Sequence, residues 1–333
     1  MAPCGLNFVE VYLTYPASLH VTFTGGLPMA SRMSRRAFLR HTATTGAVMI
    51  AGHTLGFGHP SDQPPDIVSI TGDNYYEATV KAVELLGGMK RFVGQGSKVG
   101  LLVNGRFDKP GTYVKPQIAL AVVTMLHDAG ATRIISLDDA EAGYWKRASL
   151  SREHLDMVKS IRGPGDKTTV ALTPGTNIKE IGIVRDYLDC DAIVNVAIFK
   201  DHEGTRFTGA LKNIMGATSW LNNQKWHLGS GSLGYYSDVP HLSRCIAEGN
   251  MVRKPSLCVG DATQMIIRNG PSGPGPTKDL RTIVASTDPV AFDAFGATLL
   301  GVTPDEIQMI RIANELGVGN SRLSSLVIER QTL

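Results

Sequence analysis

The densest run of side chains able to do chemistry is Phe199-Lys200-Asp201-His202-Glu203-Gly204-Thr205-Arg206-Phe207-Thr208-Gly209-Ala210-Leu211-Lys212-Asn213. It follows the apolar run Ala192 to Ile198, which reads as a buried strand. In open α/β sheets the ligand crevice lies beyond the carboxyl ends of strands, so these residues fall where a site is built. Lys200, Arg206 and Lys212 stand beside a helix start, with backbone N–H groups near Thr208 and Gly209. That set favours a carboxylate, phosphate or other oxyanion. His202 adds a general acid or base, or a metal ligand, and Asn213 can orient a bound group. The same residues would also make a solvated charged loop, and spacing alone leaves both readings open.

A second group is acidic: Asp261 after an apolar run, Asp288 after another, and Asp293 five residues on. Carboxylates at adjacent strand ends hold a divalent cation, or a substrate amine or hydroxyl. Asp288 precedes Pro289 and so has a structural explanation as a helix cap, which Asp261 lacks. Weaker candidates are Asn104 in the turn Asn104-Gly105-Arg106, His227 and His241, and Asp138-Asp139-Ala140-Glu141. No G-x-G-x-x-G, G-x-x-x-x-G-K-[ST], G-x-S-x-G or H-E-x-x-H appears, which removes the simple nucleotide, esterase and zinc-peptidase readings.

The elements that must carry these residues alternate short apolar runs with longer amphipathic stretches, the pattern of a mostly parallel sheet flanked by helices. Strands are expected at Ile67 to Ile70, Lys98 to Val103, Arg133 to Leu137, Thr168 to Leu172, Ala192 to Ile198, Leu257 to Gly260 and Thr282 to Ser286. Helices are expected at Tyr75 to Val93, Pro116 to Ala129, Ser151 to Ile161, Phe207 to Gly216, Pro240 to Glu248, Pro289 to Leu300 and Pro304 to Leu316. Asn269 to Pro276 is rich in Gly and Pro and reads as a stiff surface loop shaping a rim, with a second long loop from Asn222 to Ser237. The fold class is α/β, with a mixed, mostly parallel sheet in one large domain or two modest lobes.

Upstream, Ser34-Arg35-Arg36-Ala37-Phe38-Leu39-Arg40 matches a twin-arginine leader, followed from Thr42 to Phe57 by a mild Gly/Ala/Thr-rich stretch too weak to span a bilayer. The expectation is export through the twin-arginine translocase to the periplasm or its equivalent, cleavage near His59, and no lasting transmembrane segment. Met33 directly precedes the leader, so residues 1–32 read as an upstream mis-assigned start, and residues 1–58 stand apart from an α/β domain over 59–333. The leader region holds Arg32, Arg35, Arg36 and Arg40 against Glu10. The remainder therefore has 33 − 4 = 29 basic and 30 − 1 = 29 acidic residues, and nothing in the global charge points to nucleic acid. Cys190, Cys245 and Cys258 show no C-x-x-C spacing, so no iron–sulfur cluster or zinc ribbon is expected, and all three read as buried small residues.

Asn195-Val196-Ala197-Ile198-Phe199-Lys200-Asp201-His202, followed by Thr208-Gly209-Ala210-Leu211-Lys212-Asn213 and Gly216, resembles the central motif of the domain-of-unknown-function 362 family. Asp261 with the later Gly270-Pro271, and Asp288-Pro289-Val290-Ala291-Phe292-Asp293, resemble two further segments of it, over roughly residues 66 to 318. The family often carries K-P-N after an early strand, where this chain keeps only the Asn of Leu102-Val103-Asn104. Many relatives add a ferredoxin-like domain whose cysteine run is absent here. The resemblance implies that Lys200, His202, Lys212, Asn213 and Asp261 share a site, and it supplies no reaction. The leading expectation is an exported enzyme for a small anionic substrate, in which Lys200 and Lys212 hold the anion, Asn213 orients it, His202 transfers a proton and Asp261 binds a cation or polar group. A binding protein without chemistry, and a metal or redox protein loaded before export, are the rivals.

Overall fold

Ala192–Ile198 has no polar alternation, and every residue in it is buried, as expected for a central strand covered on both faces. In the computed structural model, which describes residues 63–138, 143–173, 175–229 and 239–333, this strand is β6. The leader, Asp139-Ala140-Glu141 and residues 230–237 of the expected second loop lie outside the described residues. The described elements all belong to the unit Pro64–Leu333.

The other strands are β1 (Ile67–Thr71), β2 (Lys98–Val103), β3 (Arg133–Ser136), β4 (Lys167–Ala171), β5 (Glu180–Val184), β7 (Leu257–Ile266), β8 (Thr277–Ser286) and β9 (Ile328–Thr332). Seven of them form one sheet in the order β3-β2-β6-β7-β8-β1-β9, and β4 pairs only with β5. β8 alone runs against the rest, pairing antiparallel with β7 and β1, while β3, β2, β6 and β7 are mutually parallel. The fold is thus a mixed, mostly parallel α/β sheet. Val196 lies beside Val103 and Ile198 beside Asp261, so the carboxyl ends of β2 and β6 open on the same edge, against the middle of the longer β7.

Helices cover both faces: α1 (Tyr75–Leu85), α2 (Pro116–Asp128), α3 (Arg152–Ser160), α4 (Arg185–Asp189), α5 (Ala210–Asn213), α6 (Trp220–Leu228), α7 (Val239–Gly249), α8 (Pro289–Leu300) and α9 (Gln308–Glu315). Alternation along the strands splits the core in two. Val99, Leu101, Val194, Val196 and Val259 pack with α1 and α2. Leu102, Ile193, Ala197 and Cys258 pack with α5, α7, α8 and α9 on the other face. At about 1.5–3 kcal/mol per buried large apolar side chain, these layers hold the strand ends rigid. Cys190, Cys245 and Cys258 are buried thiols within this core. Among the described residues, no helix is long and apolar enough to cross a membrane.

Several elements differ from expectation. α1 stops at Leu85 because Gly87 and Gly88 follow with φ of 106° and 80°, a backbone that cannot continue a right-handed helix. Only Ala210–Asn213 of the expected 207–216 helix is α-helical, with Ile214–Gly216 as a 3₁₀ turn. α6 occupies the start of the expected Asn222 to Ser237 loop, capped by Ser219, whose hydroxyl accepts the Asn222 N–H. β5, β9 and α4 carry no signal that was read from the sequence. The Asn269 to Pro276 segment is indeed a loop, joining β7 to β8 and packing on the chemical run. The Gly270 N–H donates to the Asp201 carboxylate at 2.9 Å, the Glu203 N–H donates to the Gly270 carbonyl, and a Cβ at Gly270 would run into the Asp201 carbonyl.

Candidate functional site

The chain leaves β6 at Ile198 and folds back on itself at once. The Lys200 N–H donates to the Thr208 carbonyl at 3.3 Å and the Thr208 N–H donates back at 2.9 Å, closing a short antiparallel bridge around residues 201–207. Arg206 takes φ of 61°, the left-handed conformation that this tight reversal requires. Phe199 anchors the base of the loop against Phe207 and Phe292, with ring centroids at 5.8 and 4.8 Å. α5 then begins at Ala210, where no side chain from its own turn caps it.

Two amines and two imidazoles meet here. Lys200 is 1% exposed, and its ammonium donates to the Thr112 carbonyl at 2.5 Å and lies 4.5 Å from the centroid of the Phe107 ring. Burial, with the charge of Lys212 adding to it, lowers it from 10.5 to about 7. Lys212, half-buried on α5, donates to the thioether sulfur of Met215 at 3.3 Å, and desolvation lowers its amine to about 8. His202 is buried, and its Nδ1 accepts the N–H groups of Gly204 and Thr205 at 3.0 and 3.2 Å. The neutral ring therefore carries its proton on Nε2. Burial first, then the charges of Lys212, His227 and Lys200, hold His202 far below its ordinary range. His227, on the last turn of α6, has Nδ1 2.7 Å from the Asn223 carbonyl. A carbonyl only accepts, so Nδ1 bears the proton and Nε2 keeps a lone pair. Burial and Lys212 lower His227 to about 4 against the opposing pull of that carbonyl.

Thr208 completes the cluster. Its hydroxyl is buried and has no hydrogen-bond partner, and the backbone bridge to Lys200 places the two side chains on the same face. A buried hydroxyl left unpaired costs stability, so Thr208 has unused hydrogen-bonding capacity on the Lys200 face.

The remaining expected site residues hold the frame. The Asn213 amide donates to the Asn195 side chain at 2.7 Å and to the Leu102 carbonyl at 3.3 Å, and Asn195 donates to the Ala210 carbonyl at 2.9 Å, pinning α5 to β2 and β6. Asn104 extends the β2–β6 pairing by one residue, its N–H donating to the Val196 carbonyl at 2.9 Å. Arg206 is exposed and pairs with Glu306 at 3.2 Å, apart from the buried amines. Gly209 makes room for Asp293, into whose carboxylate a Cβ would project.

The three carboxylates each serve backbone N–H groups. Asp293, fully buried on α8, accepts Ala210 and Leu211 N–H groups at 2.6 and 3.0 Å and so caps α5 from another helix. Burial pushes it up to about 8 against those bonds. Asp261 accepts the Lys115 N–H at 2.7 Å and both the N–H and hydroxyl of Thr263 at 2.8 and 2.7 Å, and burial raises it as well. Asp288 caps α8 through Val290 and Ala291 and also accepts the Asn320 N–H at 2.8 Å. The structure does not gather them: among the described residues, no group of three His, Cys, Asp or Glu side chains could hold a metal ion. The additions that sequence reasoning missed or undervalued are His227, Phe107 and the Thr112 carbonyl. His227 sits on a helix that was not expected, and the other two come from a loop nearly ninety positions before Lys200.

Residues 98–298 match the model of a domain of unknown function, DUF362. The chain belongs to this family. A curated relative, a thylakoid-associated protein of Synechocystis, is 23% identical over 246 residues, covering 71% of this chain and 73% of that protein. Among solved structures, a Thermotoga maritima protein matches with a TM-score of 0.36 and 16% identity over 56% of this chain and 49% of its own. The lactate racemase apoprotein of Thermoanaerobacterium thermosaccharolyticum matches with a TM-score of 0.35 and 13% identity over 62% and 52%. The DUF362 chain thus spans about half the length of the solved structures it matches.

Proposed function

We propose that this DUF362 protein is an enzyme for a small anionic substrate, exported by the twin-arginine route and working at the Lys200–His202–Lys212–His227 cluster. The observation that carries the reading is a pair of desolvated amines, Lys200 and Lys212, with which no carboxylate among the described residues forms an ion pair. Burying cations without a counter-charge is unfavourable, and a bound anion relieves it. Lys200 fixes the anion. His202, neutral and protonated on Nε2, orients it as a donor, and the proton-transfer role falls to His227, whose Nε2 is the basic atom. Asn213 holds α5, and with it Lys212, in place.

A panel of carboxylates and phosphates in a thermal-shift assay tests the anion role. A ligand present at 100 times its dissociation constant adds about 2.7 kcal/mol. The same anion leaving the Lys200→Met, Lys212→Met double variant unshifted is the expected result; an equal shift in both proteins removes the reading. A binding protein without chemistry needs both lysines but not His227, so His227→Gln separates the two functions: an enzyme loses turnover and keeps affinity. Export is tested by Arg35→Lys, Arg36→Lys, which is expected to leave the precursor uncleaved in the cytoplasm.

A further inference from the structure

Lys212 differs from Lys200 in how its amine is held. Lys200 is already committed to the Thr112 carbonyl and the Phe107 ring. Lys212 has a thioether sulfur as the only described hydrogen-bond acceptor of its amine, and a thioether is a weak acceptor. It is half-buried, so part of its side chain reaches solvent. Its charge acts on Lys200, which shares a face with the unpartnered, buried hydroxyl of Thr208. One end of the cluster is therefore made to hold an oxyanion, and the other presents an amine committed to nothing strong.

We propose that Lys212 is a nucleophilic amine that forms a Schiff base with the carbonyl of a small 2-oxo acid, whose carboxylate rests on Lys200 and the Thr208 hydroxyl. This rests on the anion-site reading above and names the substrate class for it. The neutral amine attacks the carbonyl carbon and a C–N bond forms. The C–O bond then breaks, and the oxygen leaves as water with one amine proton and one proton from solvent. The second amine proton stays on the iminium, and no oxidant or reductant is needed. The desolvation that lowers Lys212 to about 8 supplies a neutral fraction at neutral pH, and the bound carboxylate holds the neighbouring Lys200 protonated. The product sets one iminium and one ammonium against the carboxylate, a net charge of one.

The test uses the full mature chain with pyruvate or glyoxylate and sodium borohydride, which reduces an imine to a stable secondary amine. Intact mass and peptide mapping are expected to show one adduct per chain, on the peptide bearing Lys212. Lactate, which keeps the carboxylate and lacks the carbonyl, protects against it. Lys200→Met lowers the yield about tenfold or more without moving the adduct, as expected for losing one charge-assisted contact. Mapping on the unaltered protein keeps the test independent of whether any variant folds. Adducts spread over surface lysines, or none at Lys212 while lactate still raises the melting temperature, overturn the Schiff base and leave the anion site standing. No adduct together with no thermal shift from either ligand overturns both.

Discussion

Replacing Lys200 by Met is expected to make the ligand-free protein more stable at pH 6 while removing its anion affinity. Methionine keeps an unbranched stem of similar length and removes the charge. The fall of Lys200 from 10.5 to about 7, at about 1.4 kcal/mol for each factor of ten, sets a ceiling of about 5 kcal/mol on what its burial costs the folded state at low pH. Against this, the substitution strands the Thr112 carbonyl, at about 1–3 kcal/mol, and loses the contact with Phe107. The net expectation is a gain of at most about 2–4 kcal/mol at pH 6. A lysine depressed in the folded state binds its proton less tightly there than in the unfolded chain. The penalty is thus fully present below pH 7 and fades as pH rises from about 7 towards 10.5. Between pH 6 and pH 9 the parent protein should recover about 3 kcal/mol that the Met variant lacks, so the gap between them closes. Urea denaturation at the two pH values reads this directly from the midpoints, provided the slopes agree. A Met variant less stable than the parent by the same amount at both pH values would refute the reasoning and make Lys200 a satisfied structural ammonium.

Three further outcomes follow from the same geometry. Gly209→Ala forces a methyl into the Asp293 carboxylate and the Phe207 ring and should lower stability by about 1–3 kcal/mol, read in a circular-dichroism melt. Asp288→Ala removes the α8 cap and the acceptor of the Asn320 N–H, for a loss of about 1–2 kcal/mol in denaturant titration, with anion affinity unchanged. Anion binding at pH 8 should take up protons, because it draws Lys200 and Lys212 back from about 7 and about 8 towards their ordinary value; calorimetry in buffers of different ionisation enthalpy measures the number, and proton release would instead indicate a metal.

The parts of the fold written in local chemistry were legible. The unbroken apolar run of β6 and the acid-proline start at Asp288-Pro289 each act within a few residues and appear where expected, whereas Thr303-Pro304 opens only a 3₁₀ turn to Glu306 before α9 begins at Gln308. α6 was hidden because Trp220-Leu221-Asn222-Asn223 is a poor helix former, and only the Ser219 cap betrays it. β9, Ile328-Glu329-Arg330-Gln331-Thr332, is an edge strand whose charges hide its pairing with β1. The site divides in the same way. Lys200, His202, Thr208 and Lys212 were read from one continuous run, and the structure brings them together. The carboxylates misled because their partners are remote: Asp293 caps a helix that begins 83 residues before it, and Asp261 accepts an N–H from Lys115, 146 residues away. No spacing rule reaches that far.

That division bears on how the site works. The acids Asp293, Asp288 and Asp261 satisfy backbone donors at α5, α8 and the α2 entrance, and among the described residues none forms an ion pair with the amines. Two of them, Asp261 and Asp293, are themselves raised by burial, which weakens any negative field they could send across the core. The positive potential at the β6 end is therefore a consequence of the frame. Asn213 makes the link explicit, since the same residue that clamps α5 to β2 and β6 immediately follows Lys212. An amine on a flexible loop would relax into water and recover its ordinary basicity. One mounted on a helix clamped by a buried amide and capped by a buried carboxylate cannot, and its amine stays lowered to about 8.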